Sequence, residues 1–297
     1  MLRSMHHDQA ARLVRAIDRP RLDRHRAPFY ERCMRITSDT RVLVTGANGG
    51  LGQAIARALR AAGAQVAISG RRADALEPLA AELGARIILA DLAQRDAVTR
   101  CMELAGPLDV LVLNAALPAT GSLLEYSTSQ IDRALDVNLR APIMMAQHCL
   151  PGMLERGRGQ IVFISSISAK VVAPGASLYS ATKFGLRGFA LALREDLYGT
   201  GVGVTSVLPG FIREAGMFAD TKVTLPRGTG TRSPEQVANA VLAAIRDNPA
   251  EITVAAFEQA LGALLGSVCH PLIAALQRAL GATRTAKRIG DAQAHKR

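Results

Sequence analysis

From residue 41 the apolar positions fall into two alternating patterns. Val42-Leu43-Val44, Val66-Ala67-Ile68, Ile87-Ile88-Leu89, Val110-Leu111-Val112-Leu113, Ile161-Val162-Phe163-Ile164, Val202 to Leu208 and Ile252-Thr253-Val254 are short and almost wholly apolar. Runs of that length and content mark strands buried on both faces of a sheet. Between them, apolar residues recur at helical spacing: around Ile55 and Leu59, near 73–83 and 94–105, over about 127–156 and over 178–198. The region 127–156 is expected to break or end near Pro151, because proline lacks the amide donor that a helix interior needs. A last helix starts at Ser233 as N-cap, with Pro234 at its first position and Gln236 at its third. Strands alternating with helices predict βαβ units. The fold class is therefore α/β: a Rossmann-type doubly wound sheet of about seven parallel strands. No linker sets off a second domain.

The two ends of the chain depart from this pattern. Residues 259–277 carry no Lys, Arg, Asp or Glu, a length that reaches a membrane span. His270-Pro271 lies in mid-segment and small residues dilute it, which favours helices packed on the domain or on a partner over a membrane-surface contact helped by the following bases. The expected organisation is a basic, disordered extension over 1–33, a catalytic domain over 34–255, and an apolar helical extension with a solvated basic tail over 256–297. Met34, just before the first strand, is an alternative start.

Charge confirms that the ends are special. The net charge is +11. Residues 1–33 hold eight Arg against four acids, and residues 256–297 hold six Lys/Arg against two acids. The excess is concentrated on the ends, and aromatics for base stacking are few, so a nucleic-acid groove within the fold is not indicated. Cys33, Cys101, Cys149 and Cys269 form no C-x-x-C pair and no metal-ligand spacing with histidine. This usage, with no apolar leader at the N-terminus, gives a cytoplasmic protein with reduced thiols and no metal as the expectation.

The first strand runs into Thr45-Gly46-Ala47-Asn48-Gly49-Gly50-Leu51-Gly52 and then a helix. Strand, glycine turn and helix in this order make a dinucleotide site: glycines let the backbone approach a pyrophosphate, and the helix N-terminus offers it free N–H groups. Gly46, Asn48, Gly49, Gly50, Leu51 and Gly52 are the candidate contacts. The second strand ends in Ser69-Gly70-Arg71-Arg72, where an NAD site would place an acid for the ribose hydroxyls. Arginine pairs with a 2′-phosphate instead. Arg71 and Arg72 therefore point to NADP(H) over NAD(H).

Ser166 follows the fifth strand; Tyr179 comes thirteen residues later and Lys183 four after that. The last spacing puts the phenol and the ammonium on one helix face, a turn apart. A free tyrosine has a pKa of about 10. A neighbouring ammonium, and the positive charge of an oxidised nicotinamide, favour the phenolate and are expected to lower that value. Ser166 stands where open α/β sheets bind ligands, and its hydroxyl could hold a carbonyl oxygen.

Together with Asp91-Leu92, Asn114-Ala115-Ala116, Asn138 in DVNL, YSATK and Pro209-Gly210, these motifs make the chain resemble the short-chain dehydrogenases/reductases over about residues 40–255. The resemblance implies Tyr179 as general acid in reduction and base in oxidation. Lys183 would bind the nicotinamide ribose and lower the pKa of Tyr179. Ser166 would orient the substrate oxygen, and Asn138 would help hold a water continuing the proton path. Asp91 and Leu92 would border the adenine, and Asn114, Ala115 and Ala116 the ribose near the nicotinamide. The backbone of Pro209, Gly210 and Ile212 would meet the carboxamide. The implied activity interconverts a carbonyl and a secondary alcohol in a homodimer or homotetramer; a non-catalytic NADP-binding sensor or scaffold is the alternative. Ala116 adds a methyl where the family often has glycine, and Glu214 stands near a usual threonine, facing either carboxamide or substrate. Apolar residues in 210–233 suggest a hydrophobic small-molecule substrate.

Overall fold

The computed structural model describes residues 34–225, 228–279 and 281–296. The expected extension over 1–33, Cys33 included, lies outside the described residues. The strands are β1 (Arg41–Thr45), β2 (Gln65–Gly70), β3 (Arg86–Leu89), β4 (Val110–Leu113), β5 (Gly159–Ile164), β6 (Val202–Pro209) and β7 (Glu251–Val254). They form one sheet in the order β3-β2-β1-β4-β5-β6-β7, with every pairing parallel.

Both faces of this sheet are covered, which is why the strands read as continuous apolar runs. Val42 and Val44 of β1 face a core shared with α1 (Gly50–Ala61), α2 (Ala73–Leu83) and α7 (Pro234–Asp247). Leu43, between them, faces the opposite core, built with α3 (Arg95–Ala105), α5 (Ala141–Arg156) and α6 (Ser177–Asp196). The strand order reverses at β1, with β2 on one side and β4 on the other. That reversal opens a crevice beyond the carboxyl ends of β1 and β4, the usual ligand position in such folds.

Two expectations about helices need correction. Pro151 does not end its helix: α5 continues to Arg156 and stops at Gly157, which adopts the left-handed conformation at φ 61°. The irregular stretch lies earlier. Between α4 (Thr128–Leu135) and α5, residues Asp136–Arg140 form a turn of π-helix that carries Asn138. Second, the basic C-terminus is not a solvated tail. After α8 (Phe257–Val268) and α9 (His270–Ala279), residues Ala282–Gln293 form α10, which buries Ala286, Ile289, Gly290 and Gln293 against the body. The physical reason is its pattern: these small or apolar residues recur at helical spacing, and the bases Arg284, Lys287 and Arg288 lie exposed between them. Among the described residues no helix is long and apolar enough to cross a membrane.

Candidate active site

The glycine turn is shaped by close backbone approach. Gly46 has φ +66°, and a β-carbon there would stand 2.7 Å from Ala115 Cα. A β-carbon at Gly52 would meet the Gly46 carbonyl oxygen at 2.5 Å. Helix α1 begins at Gly50 with no side-chain cap on its N-terminus and no acid in its first turn. Free N–H groups at a helix start can receive an anion. Asn48 lies over Gly70 at the end of β2, where a β-carbon would meet its Oδ1 at 2.7 Å. Just past Gly70, Arg71 and Arg72 are exposed and have no hydrogen-bond or ion-pair partner among the described residues. The donors, the glycine cradle and two free guanidiniums beside them fit a phosphorylated dinucleotide.

Thr45, which the motif reading left without a role, joins the two sides of the crevice. Its hydroxyl oxygen accepts from the backbone N–H of Asn114 and of Ala115, both at 3.0 Å. The Asn114 side chain returns the connection by donating to the Thr45 carbonyl at 2.9 Å. Ala116 is partly exposed at this junction. Asp91 accepts from Ala93 N at 3.2 Å and lies 3.7 Å from Arg133, while Leu92 is buried below.

Asn138 is fully buried, and both ends of its amide serve one residue. Its Oδ1 accepts from Leu117 N at 2.6 Å and its Nδ2 donates to Leu117 O at 2.9 Å. The side chain thus holds the loop after β4, using one of its two N–H donors and one lone pair of Oδ1. Nothing in the motif spacing signals that use.

Ser166, Tyr179 and Lys183 come together at the end of β5. Ser166 caps a short 3-10 turn, accepting from Ser168 N at 3.1 Å, and its hydroxyl lies on the side of the Tyr179 phenol, close enough to favour the phenolate. Lys183 is buried and donates from Nζ to the Ile164 carbonyl at 3.0 Å. Ser165 ties the same strand end back to α6, donating to the Lys183 carbonyl at 3.3 Å. These two ties fix α6 against β5, so Lys183 does not depend on the helix alone for its position.

The expected lowering of the Tyr179 pKa is corrected by the protein's own groups. Burial pushes the phenol up to about 12, and the neighbouring Ser166 hydroxyl opposes this only in part. The ammonium does not reverse the shift: it is turned to the Ile164 carbonyl and stands 5.7 Å from the phenol ring centroid. Burial also lowers Lys183, from an ordinary 10.5 to about 8.

The segment after β6 closes the site from above. Its two ends are pinned together: Arg213 N donates to Arg232 O and Arg232 N to Phe211 O, each at 2.9 Å. Gln259 of α8, also absent from the motif reading, accepts from Phe211 N at 3.2 Å and donates to Gly230 O. Pro209 is buried in β6, Gly210 follows, and Ile212 is buried beneath the segment. Ala215 packs on the glycine turn, so close that a β-carbon on Gly50 would stand 2.3 Å from its methyl. Glu214 is engaged by its own neighbour at the surface. It has φ 71° in a tight turn, is exposed, and pairs with Arg213 at 2.7 Å.

Elsewhere, a groove of about 700 Å³ lies at the opposite rim of the sheet, lined by Met34, Asp109, Gln160 and Asn248 among others. It is remote from Tyr179 and holds no comparable set of reacting groups. Among the described residues, no group of His, Cys, Asp and Glu could hold a metal ion. Cys101, Cys149 and Cys269 are unpaired thiols.

Comparison with known proteins agrees with this geometry. The family model for short chain dehydrogenase matches residues 40–224. The ketoacyl reductase HetN of Nostoc sp. is 36% identical over 222 residues, covering 72% of this chain and 77% of that protein. An uncharacterized oxidoreductase of Staphylococcus aureus is 33% identical over 235 residues, covering 74% of this chain and 99% of its own. Among solved structures, an actinorhodin polyketide ketoreductase variant with NADPH is 31% identical, with a TM-score of 0.66 over 74% of this chain and 97% of its own. A short chain dehydrogenase from Burkholderia cenocepacia in complex with NADP is also 31% identical, with a TM-score of 0.61 over 74% of this chain and 98% of its own. With the doubly wound sheet, the glycine turn and the Ser166, Tyr179 and Lys183 cluster in place, the chain belongs to the short-chain dehydrogenase/reductase family and is an oxidoreductase of that type.

Proposed function

We propose that this protein is an NADP(H)-dependent reductase that interconverts a carbonyl and a secondary alcohol, with Tyr179 as the general acid/base. The observation that carries this reading is the gathering of Ser166, Tyr179 and buried Lys183, its Nζ 5.7 Å from the phenol ring centroid, at the rim where α1 begins. When bound, the cofactor supplies hydride. The protein's groups do the rest. Ser166 orients the carbonyl oxygen beside Tyr179. With its pKa near 12, Tyr179 keeps its proton through neutrality and gives it to the oxygen as negative charge develops there. The Lys183 ammonium stabilises the phenolate left behind. Arg71 and Arg72 would take the 2′-phosphate, and the α1 N-terminus the pyrophosphate. The NADPH and NADP bound in the related structures support the same choice of cofactor.

The substrate is read as a hydrophobic ketone. Phe211 and Phe218 pack ring to ring at 4.8 Å in the closing segment, and Leu123 and Leu124 are exposed in the connection after β4. The ketoacyl and polyketide reductions named for two relatives fall in this class. Assembly through α4–α5 and α6 into a homo-oligomer is part of the proposal, and light scattering tests it.

The test is NADPH oxidation against a panel of ketones and 3-oxo esters. Tyr179→Phe is expected to lose turnover and keep NADPH binding, read by cofactor fluorescence; a Phe variant that still reduces the best ketone overturns the assignment. Arg71→Ala is expected to raise the KM for NADPH about tenfold or more while changing that for NADH little, since a charge-assisted phosphate contact contributes roughly 1.5–3 kcal/mol. Equal losses for both cofactors would count against the 2′-phosphate reading. As pH rises through about 8, Lys183 loses its charge, so reduction is expected to slow above that point.

A further inference from the structure

The C-terminal helix α10 lies outside the residues matched by the family model, yet it is seated on the loops that surround Tyr179. Three contacts define the seat. Gly290 presses on the loop after β4: a β-carbon there would stand 2.9 Å from Gly121 Cα and 3.2 Å from the Thr120 carbonyl oxygen. Gly121 N in turn donates to Gly175 O at 2.7 Å, and Ala286 of α10 reaches to 3.7 Å from the β-carbon position of Gly175. Gly175 precedes Tyr179 by four residues. On the third loop, Gln293 donates to Met217 O at 2.9 Å and Lys296, just past the helix, pairs with Asp220 at 2.6 Å.

These loops border the reacting phenol from separate sides. Ala119, next to Thr120, packs in one cluster with Leu178 and Tyr179. Met217 adjoins Phe218, whose ring stacks on Phe211 above the end of β6. A helix that touches all three loops at once spans the outer end of the space between them. Its seat is made of glycines, one amide and one ion pair, and the buried Gln293 Oε1 has no partner among the described residues. Such a contact closes a space without the dense apolar packing of a core.

We propose that α10 is the outer wall of the substrate site and sets the length of the group that the site admits on the far side of the carbonyl. This rests on the carbonyl-reducing function proposed above. Closely fitted walls discriminate strongly: one methylene in an apolar pocket is worth about 10–200-fold. Gly290 touches Thr120 and Gly121 and not the segment whose Ala215 packs on the glycine turn, so backing α10 away there should relax selection against long substrates while NADPH binding is kept.

The experiment compares wild type with Gly290→Leu, whose side chain cannot fit against Gly121, on a series of ethyl 3-oxoalkanoates from short to long chains. The expected result is a rise of about tenfold or more in the ratio of long-chain to short-chain kcat/KM, with the Kd for NADPH within twofold of wild type. Asp220→Lys is a second way to lift the helix, and the exchange Asp220→Lys with Lys296→Glu should restore the wild-type ratio. An unchanged or lowered ratio in variants that bind NADPH normally overturns the proposal. The same ratio is read a second way, from binding of the esters to the NADPH complex in a Tyr179→Phe background with and without Gly290→Leu. If wild type reduces none of the esters, the proposed activity on them fails, and this binding ratio alone then decides for or against the wall.

Discussion

At the scale of residues, the reacting pair is under tension with its own folding. Lys183 is buried with one carbonyl partner, and its pKa falls from 10.5 to about 8. The gap corresponds to free energy on the order of 3 kcal/mol that the charged form costs the folded state. Its sign fixes the pH window. Below about 8 both folded and unfolded chains hold the proton; between about 8 and 10.5 only the unfolded chain does, so stability rises with pH across that range. Lys183→Met fills similar volume without a charge, at the loss of one hydrogen bond worth about 0.5–1.5 kcal/mol. The variant should be at least as stable as wild type at pH 7, inactive, and overtaken by wild type as pH climbs towards 10.5. Urea midpoints at pH 7 and pH 10 measure this, and parallel pH profiles for the two proteins would refute it. The identity and order of Ser166, Tyr179 and Lys183 were legible from spacing. The direction of the Tyr179 shift was not, because spacing places two groups on one helix face but says nothing of burial or of a competing carbonyl at Ile164.

At the scale of elements, strands and helices were legible because both faces of the sheet are covered and the two periods are distinct. The long helix over 128–156 shows where such reading stops. Pro151 is conspicuous in sequence and harmless in structure, whereas the irregular turn, Asp136–Arg140, precedes Pro142, whose missing N–H leaves the Asn138 carbonyl without its helical donor. What accompanies that turn is tertiary: Asn138 reaches both backbone groups of Leu117, twenty-one residues away. Asn138→Leu, close in size, would leave the buried Leu117 N–H and carbonyl unpaired. Each such group costs about 1–3 kcal/mol. A loss of at least 2 kcal/mol in urea unfolding is expected, with a weakened substrate KM because the loop carrying Ala119 is released. A variant within about 0.5 kcal/mol of wild type would remove Asn138 from this role. Thr45 was missed for the same reason: its value lies in two amides just past β4, sixty-nine and seventy residues away.

At the scale of the whole molecule, the position of the site depends on ties between parts that no local pattern connects. The C-terminal helix was one such surprise; its bases suggested solvent, and its small residues, read alone, suggested nothing. Glu251 is another. From β7 it accepts from Arg187 of α6 at 3.2 Å through Nη2, and more closely through Nε, and from Lys170, just after the Ser166 turn, at 2.8 Å. One carboxylate thereby joins the last strand, the helix bearing Tyr179 and Lys183, and the segment bearing Ser166. Burial works to raise its pKa, but the bonds from Arg187 and Lys170 prevail and hold it below the ordinary carboxylate value. A depressed carboxylate contributes stability that is fully present above its unfolded pKa and is lost as pH falls through the folded one. Wild type should therefore exceed Glu251→Gln in stability from about pH 5 upward, and the difference should shrink progressively as the solution is taken below the usual carboxylate range of about 4. Because the amide still accepts hydrogen bonds but carries no charge, the glutamine variant isolates the ionic part of the tie. Unfolding midpoints of both proteins across that acid range decide the matter: a difference independent of pH would mean that Glu251 acts here through shape and hydrogen bonding alone, and that the three parts of the site are held together by packing.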